Sequence, residues 1–326
     1  MIHFAALLVA LIALRFMSDV AIYLILSVFL TILFMPLMRF FERRGLPSII
    51  GYGVSLAIFV LVFGVLFNIV LFSAKQFIAN FGDYHAKFLH LFDDLNALLS
   101  RFDLSIDTSI IKEFDFIAAL KGFVSKAGNI VKGFLIVFIG VSFLLFESRY
   151  IEKKMALLGQ KKQIEAFLAG SQKYFLIKTF TSFLTGLFVA LMLLFFGVPY
   201  ALFFGILAFL FNFIPVVGSI VAAIPGIFVT LVTYDIATAL YVTALYIIIN
   251  ISISNVLEPK LMGDGLGISP AVVFFSLILW SWVFGIVGAF LAVPLTNMVQ
   301  VALSSSPQTR KWALLLSNYK GEDAKH

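Results

Sequence analysis

The residues best suited to chemistry in this sequence are polar side chains set inside long apolar stretches. Asn250, Ser254 and Glu258 recur every four residues at the end of the run 236–257, with Asn255 beside them. This spacing predicts one face of a helix. Polar groups at membrane depth are costly and usually face the protein interior or a water path. The stripe therefore indicates contacts with a solute or ion. The alternatives are helix–helix hydrogen bonding or, for Glu258, a position at the membrane interface.

Two further sets of polar residues have a similar setting. Asn212 lies close to Pro215 in another charge-free stretch. Lys178, Ser182 and Thr185 form a weaker stripe of helical spacing. Each set has the same two interpretations as the first.

Other kinds of chemistry find little support. The four histidines (His3, His85, His90 and His326) lack the spacing of a metal site, and the chain has no cysteine. No Ser-His-Asp set, phosphate-binding loop or paired carboxylate stands in a credible pocket. We expect neither enzymatic activity nor a cofactor or metal.

Composition places most of the chain in lipid. Of its 326 residues, 62% are hydrophobic and 12% are charged, against about 45–50% and about 25% in soluble proteins. The lipid bilayer is therefore the first predicted partner. The net charge of +6 does not indicate nucleic-acid binding, because the basic residues flank apolar spans and do not form one face.

Apolar runs of spanning or near-spanning length predict an all-α, polytopic protein with about eight hydrophobic segments. The unbroken runs are Ile2–Leu14, Val20–Met38, Ile49–Phe72, Ile130–Phe146, Phe180–Phe196 and Ile236–Leu257. Arg15 and Asp19 separate the first two runs, which predicts a tight helical hairpin.

Basic residues predict the topology, since lysine and arginine mark cytoplasmic loops. The turn Arg39–Arg44, the region Glu147–Lys178 and the C-terminal tail carry such residues. The charge-balanced, amphipathic region 75–128 then lies outside the cytoplasm. Both termini are predicted to be cytoplasmic, the N-terminus on condition that the first two runs both cross.

Two further apolar stretches are broken near their middles. Tyr200–Phe213 and Ser219–Val232 flank a break that contains Pro215 and Gly218. Arms of this length cover about 21 Å as helix, less than the roughly 30 Å hydrocarbon core. Either a re-entrant hairpin or one broken crossing helix would fit.

The second broken stretch resembles the first. Ala271–Phe284 and Ala289–Leu303 flank the sequence Gly285–Gly288. Pro215-Val-Val-Gly218 aligns with Gly285-Ile-Val-Gly288 at an offset of 70 residues. A repeated span-plus-hairpin unit follows from this, inverted if both hairpins re-enter. The alternative, a kinked crossing helix at each break, stays open.

Matched breaks in two repeats point to a transport pathway, because non-helical backbone is tolerated in lipid only where protein or water covers it. The opposing interpretation is that glycine and proline only shape helix packing. The predicted pathway residues are Asn212, Pro215, Gly218, Pro225, Asn250, Ser254, Asn255, Glu258, Pro259, Lys260, Gly263, Pro270, Gly285, Gly288 and Pro294.

The predicted organisation has five parts. They are N-terminal transmembrane helices (1–74), an extracytoplasmic amphipathic region (75–128), a transmembrane helix with a basic cytoplasmic segment (129–178), a transport core (179–303) and a cytoplasmic tail (304–326).

Several motifs resemble those of the autoinducer-2 exporter family of permeases. They are Phe-Gly-Val-Pro (196–199), Ile-Pro-Val-Val-Gly (214–218), Glu-Pro-Lys-Leu-Met-Gly (258–263), Leu-Gly-Ile-Ser-Pro (266–270), Phe-Gly-Ile-Val-Gly (284–288) and Ala-Val-Pro-Leu (292–295). The resemblance implies a multi-pass protein of the bacterial inner membrane. Some members are linked to export of autoinducer-2 and others to sodium/proton antiport.

The leading functional prediction is a secondary transporter or efflux permease for a small polar solute. Sodium/proton antiport is the first alternative, with Glu258 as the titratable group. A non-transporting membrane scaffold subunit is the second. A homo-oligomer is compatible with the glycine- and phenylalanine-rich spans.

Overall fold

The computed structural model describes residues 9, 11–99, 116–157, 161–215, 217–262, 268–304, 306 and 308–317. Within these residues the chain is helical apart from turns and one isolated antiparallel bridge between Ile268 and Ser317. The predicted all-α architecture is confirmed.

The helices are numbered here in chain order. They are α1 Ser18–Arg43, α2 Ser48–Leu99, α3 Phe116–Ser125, α4 Ala127–Leu157, α5 Lys161–Phe195, α6 Ala201–Phe211, α7 Val217–Thr233, α8 Ile236–Asn250, α9 Glu258–Met262, α10 Pro270–Phe290, α11 Ala292–Ser304 and α12 Arg310–Leu316. A π-helical segment, Ile251–Leu257, joins α8 to α9.

Six segments among the described residues are long and apolar enough to cross a membrane. They are α1, the part Ser48–Phe88 of α2, the part Ala127–Ser148 of α4, the part Glu165–Phe195 of α5, the continuous stretch Ile236–Met262, and α10. The apolar helices α6, α7 and α11 are shorter. This pattern fits a polytopic membrane protein.

The predicted hairpin near Arg15 is wrong for the described residues. Residues 11–16 are helical, Met17 forms a turn, and α1 follows at Ser18. The Met17 N–H donates to Ala13 O and the Ala21 N–H donates to Met17 O, so the chain does not reverse at this turn. Two charged residues at Arg15 and Asp19 do not break a helix that has no glycine or proline there. The expected cytoplasmic N-terminus depended on two crossings in this region, and a chain that does not reverse between residues 11 and 21 removes that basis.

All four predicted domain boundaries fall inside helices, with 303/304 at the C-terminal end of α11. The boundary at 74/75 lies within α2, which has 52 residues and is about 78 Å long. The boundaries at 128/129 and 178/179 lie within α4 and α5. No proline occurs between Pro47 and Pro199, so no proline interrupts α2 or α5 where the helix surface changes between apolar and polar.

Helices α6 and α7 form a re-entrant pair, called hairpin 1 below. The Tyr234 hydroxyl, just after α7, donates to the Gly197 carbonyl, just before α6, at 2.8 Å. The two ends of the hairpin therefore lie side by side. Its turn is tight at Gly218, where an added Cβ would overlap the Phe211 carbonyl oxygen.

Helices α10 and α11 form the matching pair, hairpin 2. The Trp280 indole Nε1–H donates to Thr296 Oγ1 across the two arms at 3.0 Å. Gly285 has a φ of +62°, which interrupts the helical backbone of α10 at the predicted break. A Cβ at Gly288 would overlap the Trp280 carbonyl oxygen, as at Gly218 in hairpin 1.

The two hairpins start from opposite ends of the bundle. The stretch Ile236–Met262 runs from the end of hairpin 1 to the N-terminal half of α5, where Lys173 Nζ donates to Met262 O at 2.8 Å. Hairpin 2 begins shortly afterwards. The geometry therefore favours two re-entrant hairpins in inverted arrangement over two kinked crossing helices.

Helix α5 supports both hairpins. Tyr174 and Phe175, in its N-terminal half, pack in one apolar core with hairpin 2 and α1. Val189 and Leu193, in its C-terminal half, pack in a second core with hairpin 1, α2 and α8. The place where the two cores approach one another is near the middle of α5.

Candidate polar site between the hairpins

A buried ion pair lies near the middle of α5. Lys178 Nζ is 2.9 Å from both carboxylate oxygens of Glu258, and the two side chains are only 6% and 15% exposed. Thr181 Oγ1 donates to Glu258 Oε2 at 3.2 Å. A paired, hydrogen-bonded charge is the form in which buried ions are tolerated. Such residues in a membrane bundle indicate a functional site.

A chain of neutral hydrogen bonds joins hairpin 1 to this region. Asn212, in the hairpin turn, donates through Nδ2 to Ser182 Oγ of α5 at 3.0 Å. Its Oδ1 accepts a bond from Ser254 Oγ of the π-helical segment at 3.2 Å. The turn of hairpin 1 is thus fixed to both α5 and the helix that carries Glu258.

The π-helical segment keeps the polar stripe on one face. Side chains spaced by four residues drift by roughly 40° around an α-helix, so two such steps would rotate Glu258 by roughly 80° away from Asn250. A π-helix has i→i+5 hydrogen bonds and about 4.4 residues per turn. Side chains four residues apart in it are therefore rotated by about 30° in the opposite direction around the helix axis. The predicted stripe Asn250–Ser254–Glu258 is therefore realised by a local change of helix type, which the sequence argument did not include.

The tips of the two hairpins touch each other. Phe213, in the turn of hairpin 1, stacks on Phe290, in the tip of hairpin 2, with ring centroids 4.4 Å apart and an interplanar angle of 16°. Ile214 also packs against the core of hairpin 2. The aligned breaks thus meet inside the bundle, next to the polar residues just described.

Arg15 supports the break in hairpin 2. Its Nη1 donates to the carbonyl oxygens of Trp282 and Val283, at 2.5 and 3.3 Å. These carbonyls lie just before Gly285, where the helical backbone ends and leaves acceptors without an intrahelical donor. A cation at the C-terminal end of a helix is also favoured by the helix dipole.

Comparison with known proteins is consistent with this architecture. A family model described as "AI-2E family transporter" matches residues 4–308. The chain belongs to the AI-2E transporter family. Over 330 residues it is 32% identical to a "Putative transport protein" of Haemophilus influenzae, covering 96% of this chain and 94% of that protein.

Two relatives from Escherichia coli K12 align over similar lengths. The "AI-2 transport protein TqsA" is 30% identical over 327 residues, which cover 97% of this chain and 94% of TqsA. The "Putative transport protein YhhT" is 29% identical over 328 residues, which cover 97% and 93%. These matches confirm the resemblance inferred from the motifs and show that this AI-2E chain is similar to transport proteins along almost its whole length.

The structure brings together only some of the predicted pathway residues. Asn212, Ser254 and Glu258 meet in the polar site, and Asn250 lies on the same face. Pro215 and Gly218 shape the turn of hairpin 1, while Gly285 and Gly288 shape hairpin 2.

The remaining predicted residues lie elsewhere. Asn255, Pro259, Lys260 and Pro270 are exposed, Pro225 and Pro294 are buried within α7 and α11, and Gly263 lies outside the described residues. No contact with the polar site is recorded for these described residues. Their role as contacts in a transport pathway stays a prediction.

The contribution of α5 to the site is weakly marked in the sequence. Lys178 and Ser182 belong to the weaker polar stripe, and no sequence pattern marks Thr181. A stronger signal was available, because Lys178 is the last charge before a long charge-free stretch.

In the described part of the chain, no group of three or more His, Cys, Asp or Glu residues could hold a metal ion.

Proposed function

We propose that this protein is a secondary transporter or efflux permease for a small polar solute. The observation that carries the proposal is the buried Lys178–Glu258 pair, with Asn212 and Ser254, beside the contact of two opposed hairpin tips. Polar side chains in a membrane bundle are costly unless they are paired or serve a water path. Broken helices at matching positions of an inverted repeat are the usual location of such a path.

The arrangement suggests how access could alternate between the two sides. Hairpin 1 separates the polar site from one end of the bundle, and hairpin 2 separates it from the other. Because the tips are joined by the Phe213–Phe290 stack, movement of either tip would open the site toward one side. The hydrogen bonds of Asn212 would then be exchanged for bonds to the solute.

The proposed setting is the inner membrane of a bacterial cell, with several crossings. The basic turn Arg39–Arg44 and the basic residues at 149–162 would face the cytoplasm, together with the C-terminus. Lys178, which the sequence places in the same cytoplasmic region, lies instead in the buried polar site. Hairpin 1 would then enter from outside and hairpin 2 from the cytoplasm. The proposed partners are the lipid bilayer and the transported solute or ion.

The cargo is proposed by class only. The relative TqsA is named as an AI-2 transport protein, so autoinducer-2 is the first compound to test. The neutral hydrogen-bonding groups of Asn212, Ser182 and Ser254 suit a hydroxylated solute, and the ion pair adds one group of each charge.

Flux into proteoliposomes tests the proposal. Purified protein would be tested with autoinducer-2, other small hydroxylated solutes, amino acids and small carboxylates. We expect flux of at least one compound, and at least tenfold less in Glu258→Gln, with Lys132→Met on the exposed surface of α4 as the control. If no compound or ion moves through the wild-type protein, the proposal is wrong and a scaffold role becomes the better explanation.

Cation/proton antiport is a second candidate function, favoured by the same ion pair. Protonation of Glu258 would remove its charge and free Lys178, which is the kind of event that couples proton movement to a conformational change. A pH-sensitive dye inside proteoliposomes would report sodium-dependent proton flux. Solute flux that is independent of both pH and sodium would exclude this mechanism.

A further inference from the structure

Two buried polar atoms on α8 lack hydrogen bonds, unlike the polar side chains of the site described above. The Tyr246 hydroxyl oxygen and Asn250 Oδ1 are buried and have no hydrogen-bond partner among the described residues. Leaving such a group unpaired costs about 1–3 kcal/mol, so each instance in a native protein requires an explanation. The two residues are four apart, which places them as neighbours on one helix face.

Two threonine hydroxyl groups on α7 and α8 are satisfied in the ordinary way, whereas Thr233 Oγ1 at the end of α7 is also buried without a partner among the described residues. Thr243 Oγ1 donates to the Ala239 carbonyl at 2.7 Å, and Thr230 Oγ1 donates to the Gly226 carbonyl at 2.8 Å. Both bonds run to the residue four positions earlier in the same helix. Tyr246 is too long for this kind of bond, and its ring is instead directed into hairpin 1.

Close packing against hairpin 1 holds Tyr246 in place. The residue is 2% exposed, and a Cβ added at Gly226 of α7 would lie 2.5 Å from its hydroxyl oxygen. Any larger residue at 226 would collide with the phenol. The hydroxyl is thus held against the second arm of hairpin 1, about 15 Å along α8 from Ile236.

We infer that the Tyr246 hydroxyl and Asn250 Oδ1 form an outer subsite of the transport pathway. The inference rests on the proposed function. The subsite lies one and two helical turns before Ser254 on the same face, between the polar site and the end of the bundle from which hairpin 1 starts. A phenol and an amide oxygen suit a neutral hydrogen-bond donor, such as a hydroxyl or amide group of the solute.

Cysteine labelling tests this inference without knowledge of the cargo, because the chain has no native cysteine. Asn250→Cys, Ser254→Cys and Ile248→Cys would each be reacted in proteoliposomes with hydroxyethyl methanethiosulfonate, a neutral hydroxylated reagent. Ile248 is 57% exposed on the outer surface of the same helix and serves as the lipid-facing control. We expect Asn250→Cys and Ser254→Cys to react at least tenfold faster than Ile248→Cys.

A conservative variant tests the role of the hydroxyl itself. Tyr246→Phe keeps the ring and its packing, so the fold should be retained. In the Ser254→Cys background it should slow labelling about threefold to tenfold, because a hydrogen bond of about 1 kcal/mol is lost on the way to Ser254. Tyr241→Phe removes a hydroxyl from an exposed position of α8 and should leave the rate unchanged.

The outcomes separate the two proposals. If Ser254→Cys reacts but Asn250→Cys reacts no faster than Ile248→Cys, the outer subsite is wrong and the proposed function remains. An unchanged rate in Tyr246→Phe also excludes the subsite. If neither Ser254→Cys nor Asn250→Cys reacts, no water-accessible path reaches the polar site, which counts against the proposed function as well.

Discussion

At the scale of single residues, the ion pair between Lys178 and Glu258 has the clearest consequences. Each charge is tolerated in the bundle because the other neutralises it, and Thr181 satisfies part of the remaining hydrogen-bonding capacity of the carboxylate. Removing one partner therefore leaves a buried charge without compensation, whereas removing both does not. Stability and transport should respond differently to these changes.

We predict that Lys178→Met destabilises the protein by about 3–5 kcal/mol because Glu258 is left as a buried, unpaired charge. The double variant Lys178→Met/Glu258→Gln should recover most of the stability but not transport. Thermal unfolding in detergent measures the first effect, and proteoliposome flux measures the second. Full transport by the double variant would show that the pair is structural only.

A second residue-scale prediction concerns the start of α8. The Asp235 carboxylate accepts a bond from the Thr238 N–H at 2.7 Å and caps the helix. Chiefly because of this bond, the pKa of Asp235 is lowered from its usual value. A lowered folded-state pKa means that the stabilisation is present at neutral pH and is lost as the pH falls through that pKa.

Asp235→Ala should consequently lower the midpoint of thermal unfolding at pH 7, with a smaller difference from wild type at a pH below the pKa of Asp235. Asp235→Asn should retain most of the stability, because asparagine is an equally good N-cap. Unfolding scans at several pH values measure both effects. Equal stability of Asp235→Ala and wild type at pH 7 would contradict the capping role.

At the scale of elements, the hairpins depend on two glycines that allow close backbone approach. Gly218 faces the Phe211 carbonyl and Gly288 faces the Trp280 carbonyl, each near the tip of its hairpin. A single methyl group at either position would force the two arms apart. The repeated sequence thus produces a repeated local geometry.

We predict that Gly218→Ala and Gly288→Ala each destabilise the protein by about 1–3 kcal/mol, the usual cost of overpacking. Gly64→Ala in α2 is the matched control, since nothing lies within 4 Å of a Cβ added there. The measurement is thermal unfolding, combined with flux. A normal unfolding midpoint for both hairpin variants would mean that the turns are looser than described.

At the scale of the whole molecule, the opposed hairpins meet through the stack of Phe213 on Phe290. The extension of α2 beyond residue 74 also takes part, because Phe77 packs against Tyr200 and Phe204 of hairpin 1. Asn80 Nδ2 donates to the Tyr200 hydroxyl at 2.7 Å. The first residues of the region predicted as a separate amphipathic domain therefore pack against hairpin 1.

If transport requires the tips to separate, joining them should stop it. In the Cys-free chain, Phe213→Cys/Phe290→Cys should be cross-linked by a short bifunctional methanethiosulfonate, because the rings are 4.4 Å apart at their centroids. Flux should fall at least tenfold and return on reduction. Phe195→Cys/Phe290→Cys, with one cysteine at the far end of α5, should not cross-link. Undiminished flux in the cross-linked protein would show that the tips move as one unit.

The sequence alone determined that most of the chain lies in lipid, that the fold is all-α, and where the two apolar stretches are broken. Hydropathy indicates which stretches lie in lipid, because a span must be apolar over about 20 residues. Gly218 and Gly285–Gly288 mark the breaks, because local backbone geometry depends on residue type. Helix continuity was predicted less well: charge at Arg15 and the polarity change near residue 75 alter the surface of a helix without ending it.

Only the tertiary structure decided which polar residues belong together. Lys178 and Glu258 are eighty positions apart in sequence, and no periodicity relates positions on different helices. The contact between Tyr234 and Gly197 places the two ends of hairpin 1 side by side, whereas charge counting could not distinguish a hairpin from a crossing helix. Pairings of this kind arise from how helices pack, and packing is a property of the whole bundle.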